Sequence, residues 1–115
     1  TIIISDTFTQ FAMPLMKKLG WPTIFCNELV VGENGEITDF RMRIDRSKYS
    51  TVKALQAMGF DTIACGDSYN DLEMIKAGKA GFLFRSTDSI KEANPDVPAF
   101  DSYDDLFDAI MAAQK

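Results

Sequence analysis

The chain has 115 residues, 46% of them hydrophobic and 25% charged, with nine phenylalanines. That is enough for one globular domain, not two, able to remove roughly two thirds of its unfolded surface from water, and it excludes a disordered chain. Seventeen acidic against twelve basic residues give a charge of −5 with no basic stripe, which excludes nucleic acid as a partner. Histidine is absent, so Ser-His-Asp and Cys-His nucleophiles, HExxH zinc sites and imidazole acid/base chemistry are excluded together. Carboxylates, Lys, hydroxyls and metal are what remain. Cys26 and Cys65 are too few for a disulfide scaffold or a four-ligand zinc site. Each ends an apolar run and reads as a reduced, buried thiol, in keeping with the cytoplasm. No window approaches the ~20 apolar residues of a membrane span, and Thr1–Ser5 lacks the charged start of a signal peptide, so a membrane is not an expected partner. The chain opens abruptly on Ile2-Ile3-Ile4, like a chain entered in its middle.

Ile2–Ile4, β-branched and bounded by Ser5-Asp6-Thr7, predicts a buried strand with a polar tip. Thr7 and Thr9 are placed to cap a helix whose apolar positions are Phe11, Leu15, Met16 and Leu19, closed by Gly20. Pro14 is tolerated if the regular helix begins close to it, after a looser turn over residues 8–12. Thr23–Cys26 predicts a second strand, and residues 28–43 a hairpin about Asn34-Gly35. Lys48–Met58 predicts an amphipathic helix through Val52, Leu55 and Met58. Thr62–Cys65 is a further buried strand, running into Gly66-Asp67 and a short helix over 70–77 with Asp71 and Glu73 at its positive end. Gly81–Phe84 follows as a strand and Ser86–Glu92 as a helix. The last helix is capped by Ser102 and presents Tyr103, Leu106, Phe107, Ile110 and Met111 on one face. Short buried strands alternating with helices define an α/β fold with a mainly parallel sheet and one β-hairpin.

In open parallel sheets, ligands bind beyond the carboxyl ends of the strands. Ser5-Asp6-Thr7, Lys48 and Gly66-Asp67-Ser68-Tyr69-Asn70-Asp71 fall at such ends or at a helix start. Asp67 and Asp71, four apart across a chain reversal that Gly66 permits, can face a hard cation such as Mg²⁺; helix capping by Ser68 or Asn70, with Asp71 serving the dipole, explains the same residues. Gly78 stands where an EF-hand needs its twelfth-position Glu. Ser5 and Thr7, with the amides entering the helix, suit a phosphate, or simply cap the helix. Lys48 opposes its helix dipole, a cost a bound phosphate would reverse; a solvated surface Lys is the alternative.

SDT after the first strand, a Lys opening a later helix, and GDSYNDLEMI after the next strand resemble, in order, motifs II, III and IV of the haloacid dehalogenase superfamily of phosphatases. SDTF, PLM..LG.PT, GDSYND and AG.LF resemble its phosphoserine phosphatase branch, most of all the bifunctional phosphoserine phosphatase/homoserine phosphotransferase type. The resemblance covers nearly the entire chain and implies a Rossmann-like three-layer sandwich acting on a small phosphomonoester. It implies that Ser5 bonds the phosphoryl oxygens, with Asp6 and Thr7 beside it, and that Lys48 neutralises them. Asp67 would ligate Mg²⁺, Asp71 would hold a metal-bound water or orient Lys48, and Asn70 would lie near the phosphate.

The family's first motif, DxDx[TV], is not in this sequence. If Asp6 were its nucleophile, the position two further on would be Phe8, which cannot carry a proton. Residues 1–115 are therefore expected to be the C-terminal part of a core domain, lacking the first, nucleophile-bearing strand and the cap. The resemblance implies that this strand lies between the strand ending at Ser5 and the one ending at Cys65, so either another segment or chain supplies it or the two pair directly. The alternatives are a receiver-like or regulatory module that binds metal or phosphate without catalysis, and an obligate half-protein active only on mixing.

Overall fold

The computed structural model describes all residues, 1–115, as two compact units, Thr1–Ser50 and Thr51–Lys115. In the first, strand β1 (Ile2–Phe8) leads into helix α1 (Thr9–Lys18), followed by β2 (Thr23–Val31) and β3 (Ile37–Arg41). The sheet order is β1-β2-β3, β1 parallel and β3 antiparallel to β2. The strand expected at Thr23–Cys26 and the first arm of the expected hairpin are thus one continuous strand. The reason lies in its second half: Glu28–Val31 is still extended and bonds β3 on one side. On its other side Gln10 substitutes for a strand, its side-chain amide donating to Leu29 O and accepting from Leu29 N, both at 3.0 Å. The hairpin closes through Gly32 to Glu36, with Gly35 at φ 83°, a left-handed conformation that glycine adopts without steric cost.

Helix α1 differs from expectation at its start. It runs regularly from Thr9 through Pro14, its N-cap is Phe8, and no side chain caps it. Thr9 is not free to cap because its hydroxyl donates to Asn27 O on β2, 3.1 Å away, and Thr7 lies within β1. Its buried side is Ala12 and Met16, whereas Phe11, Leu15 and Leu19 are exposed. Phe8 anchors the local aromatic contacts, edge-on to Phe11 at 6.2 Å and to Phe40 at 6.5 Å.

Helix α2 (Ser47–Ala57) continues into the second unit, where β4 (Ile63–Gly66), a 3-10 turn (Tyr69–Asp71), α3 (Leu72–Ala77), β5 (Ala80–Phe84), α4 (Asp88–Ala93), β6 (Ala99–Phe100) and α5 (Tyr103–Ala113) follow. Its sheet is β4-β5-β6, all parallel. The two-residue β6 was not legible in the sequence, because Asp96-Val97-Pro98-Ala99-Phe100 carries neither length nor alternation; Phe100 pairs with Phe84 and stacks edge-on to Phe82 at 5.8 Å. Met74, Ile75, Phe82, Leu83, Ile90 and Val97 form the core, with Leu83 completely buried, a burial that contributes roughly 1.5–3 kcal/mol. Ser102 Oγ accepts from Asp105 N at 3.4 Å and caps α5 as expected. The helix's Tyr103, Phe107 and Met111 are exposed, however, and only Leu106, Ala109, Ile110 and Ala113 turn partly inward. The cysteines are half-buried, not buried, and both are free thiols. Within their sheets, β1 and β4 are both edge strands.

Candidate functional site

In the first unit the candidate residues sit on an irregularity of β1. Ile2, Ile3 and Ile4 pair with Thr23, Ile24 and Phe25, and pairing resumes at Phe8 with Asn27. Three residues, Ser5, Asp6 and Thr7, therefore stand opposite Cys26 alone, a bulge that lifts them out of the ladder. Bulges of this kind re-aim backbone and side chains and concentrate near functional sites. Thr7 N donates to Ser5 Oγ at 3.2 Å, which tightens the bulge from within.

The Asp6 carboxylate turns to the start of α2, accepting from Ser47 Oγ at 3.4 Å and facing Lys48 Nζ at 3.9 Å. A cation in the first turn opposes the helix dipole, and Asp6 supplies the compensating negative charge. At 3.9 Å with Asp6 half-exposed, the pair itself contributes no more than about 1 kcal/mol. Arg46, the residue before α2, adopts φ 49° and places its guanidinium over the Tyr49 ring at 4.4 Å. The structure thus brings Ser5, Asp6, Thr7 and Lys48 together at the carboxyl end of β1.

In the second unit β4 ends at Gly66, and the chain reverses through Asp67 and Ser68 into the 3-10 turn. The Asp71 carboxylate is 5% exposed and points back into that reversal: one oxygen accepts from Asp67 N at 2.9 Å, Ser68 N at 3.2 Å and Ser68 Oγ at 3.3 Å. Negative charge here also suits the partial positive charge of the helix start. Gly66 has to be glycine for lack of space, since an added Cβ would collide with the Cβ and carboxyl of Asp71. Asp67 and Asn70 are exposed at the rim. Buried Ser86, just past β5, fixes the loop from behind by donating to Asp67 O at 2.7 Å. Burial also raises the Cys65 thiol above its ordinary pKa, so at neutral pH it is the uncharged thiol beneath this loop.

The carboxylates suit a hard cation chemically, with Asp67 as the exposed donor, but no three acidic or thiol side chains gather closely enough to hold a metal ion. Sequence reasoning missed Asn27 and Ser86, the residues that hold the two loops. The available signal was a single Asn within the otherwise apolar run Thr23–Val31 and a Ser directly after Gly81–Phe84.

Polar loops carrying hydroxyl, Lys and carboxylate groups thus stand at the carboxyl end of β1 in the first unit and of β4 in the second, the end at which parallel α/β sheets bind ligands. Residues 1–76 match the family model of the haloacid dehalogenase-like hydrolases, and the chain belongs to that family. It is 37% identical over 105 residues to a phosphoserine phosphatase of Pseudomonas syringae pv. tomato, covering 91% of this chain and 44% of that protein. It is 36% identical over 105 residues to the phosphoserine phosphatase ThrH of Pseudomonas aeruginosa, covering 91% and 51%. Among solved structures it is similar to a phospho-aspartyl intermediate analogue of phosphoserine phosphatase, with a TM-score of 0.63, 26% identity, and coverage of 79% and 46%. The chain spans about half the length of the curated relatives it matches.

Proposed function

We propose that these residues form the phosphate-handling part of a Mg²⁺-dependent phosphomonoester hydrolase that takes phosphoserine through an aspartyl-phosphate. The observation that carries the reading is the bulged Ser5–Thr7 segment meeting Lys48 at the end of β1, in a chain of this family. Ser5 Oγ and the bulge amides, including that of Asp6, bond the phosphoryl oxygens, with Thr7 shaping the turn. Lys48 neutralises their charge and Asp6 holds Lys48 in place. Asn70, exposed after β4, is assigned to phosphate binding by the same reading. Asp67 serves as a carboxylate ligand, and Asp71 fixes the amide of Asp67 so that this ligand is held in place. Mg²⁺, when bound, draws negative charge from the phosphoryl group.

The nucleophilic carboxylate is proposed to come from a further segment that adds a strand beside the edge strands and completes the ligand set. The outer edges of β1 and β4, each unpaired within its own sheet, support this. Attack of that carboxylate on phosphorus breaks the P–O ester bond, and serine leaves as the alcohol, its oxygen taking a proton from a second carboxyl group of the same further segment. Water then cleaves the acyl phosphate to inorganic phosphate, or homoserine takes the phosphoryl group in place of water. Hydrolysis through positioning and charge neutralisation needs no imidazole, in keeping with a chain that has no His. Two free thiols support a reducing, cytoplasmic setting. The test is phosphate release from phosphoserine by the natural-length protein with Mg²⁺. Turnover that Asp67→Asn reduces at least a hundredfold is expected, and full activity of that variant would refute the assignment of Asp67.

A further inference from the structure

Asn27 is one of the most deeply buried side chains of the molecule, 2% exposed, in a strand otherwise written with apolar residues. Its polar groups are used on three sides. Nδ2 donates to Asp6 O at 3.2 Å, Oδ1 accepts from Arg43 N at 2.9 Å, and its carbonyl accepts from Thr9 Oγ1 at 3.1 Å. An unpaired buried amide would be costly, so the side chain is held in one orientation by its partners.

The partner on the donor side is the informative one. Asp6 is the middle residue of the bulge, and the ladder that would otherwise receive its carbonyl is interrupted between Ile4 and Phe8. Asn27 reaches across that gap to hold the bulge, and with its other end holds the chain four residues before Ser47 and five before Lys48. Thr9 completes the tie by fixing α1 to the same residue. One amide thereby sets the spacing between the Ser5–Thr7 amides and the segment that presents the Lys48 ammonium.

We infer that Asn27 is a positioning residue for phosphate: it acts through Asp6 and Arg43 to keep the bulge amides and the Lys48 segment at phosphate-binding distance. This rests on the proposed phosphate-handling function. The isosteric change Asn27→Asp keeps the acceptor for Arg43 N and places a carboxylate oxygen against Asp6 O, repelling it; once protonated, that carboxyl donates again. Inorganic phosphate binding to the natural-length protein is measured by calorimetry from pH 8 to pH 5, alongside KM and kcat for phosphoserine and the thermal midpoint.

For Asn27→Asp, phosphate affinity is expected to fall at least tenfold relative to wild type at pH 8 and to recover toward the wild-type value at the same pH as the solution is acidified. KM is expected to rise more than kcat falls. A folded variant whose phosphate affinity equals wild type across the range would overturn the inference. Wild type that neither binds phosphate nor releases it from phosphoserine would instead overturn the underlying function. If the variant does not fold, wild type decides: phosphate addition should shift the Asn27 side-chain amide resonances together with the backbone amides of Ser5, Asp6 and Thr7. Shifts of the backbone amides with Asn27 unmoved would reject the inference.

Discussion

Replacing Asp71 with Ala removes the acceptor for two backbone amides and a hydroxyl at once. The lost contacts are those to Asp67 N at 2.9 Å, Ser68 N at 3.2 Å and Ser68 Oγ at 3.3 Å. Hydrogen bonds to a charged acceptor contribute about 1.5–3 kcal/mol each, and a buried donor left unsatisfied costs about 1–3 kcal/mol. The three share one oxygen, and Asp67 is exposed, so water can satisfy part of the deficit. The expected loss is therefore about 3 kcal/mol for Asp71→Ala. For Asp71→Asn, which keeps an oxygen and loses the charge, roughly half of that is expected. Urea unfolding followed by far-UV circular dichroism measures it, with the fluorescence of Trp21, the single Trp, reporting separately on the first unit. A lowered midpoint at unchanged slope is expected. A change below ~0.5 kcal/mol for Asp71→Ala would refute the claim that this carboxylate holds the reversal after β4.

Gly66→Ala should be more damaging than its single methyl suggests, because the new Cβ would occupy the space of the Asp71 side chain. Loss of at least the stability predicted for Asp71→Ala, in the same urea assay, is expected, and a neutral effect would contradict the observed packing. Cys65 should be alkylated by iodoacetamide with a pH midpoint above that of an unstructured thiol, since its pKa is raised by burial. The folded state holds this proton more tightly than the unfolded one, so the associated stability is full below the unfolded thiol's pKa and is lost as pH rises through the folded one. A reactivity midpoint at or below 9.0, the ordinary value, would count against that burial.

The elements carrying strong local signals were legible in the sequence. Ser102 as the cap of α5, the strand ending at Gly66 and the chain reversal after it were all readable from spacing and residue type. What escaped was decided by tertiary partners. Thr9 looked like a cap and instead bonds β2, because β2 continues past the end of β1 and its carbonyl there needs a donor. Gln10 carries no signal in the sequence, yet its side chain replaces a strand. Of the apolar positions Phe11, Leu15, Met16 and Leu19, only Met16 is buried, because the helix turns it inward together with Ala12. In the site, residue types named Ser5, Lys48, Asp67 and Asp71, while their arrangement depended on pairings far apart in sequence. The ion pair of Asp6 with Lys48 and the ties from Asn27 and Ser86 span gaps that no periodicity marks.

The most direct test of the central claim compares phosphoserine turnover in Mg²⁺ by residues 1–115 alone with that of the natural-length protein. The proposed mechanism takes its nucleophile from a further segment, so the natural-length protein should release phosphate and residues 1–115 should not. Turnover by residues 1–115, abolished by Asp6→Asn, would contradict the account and make Asp6 the nucleophile.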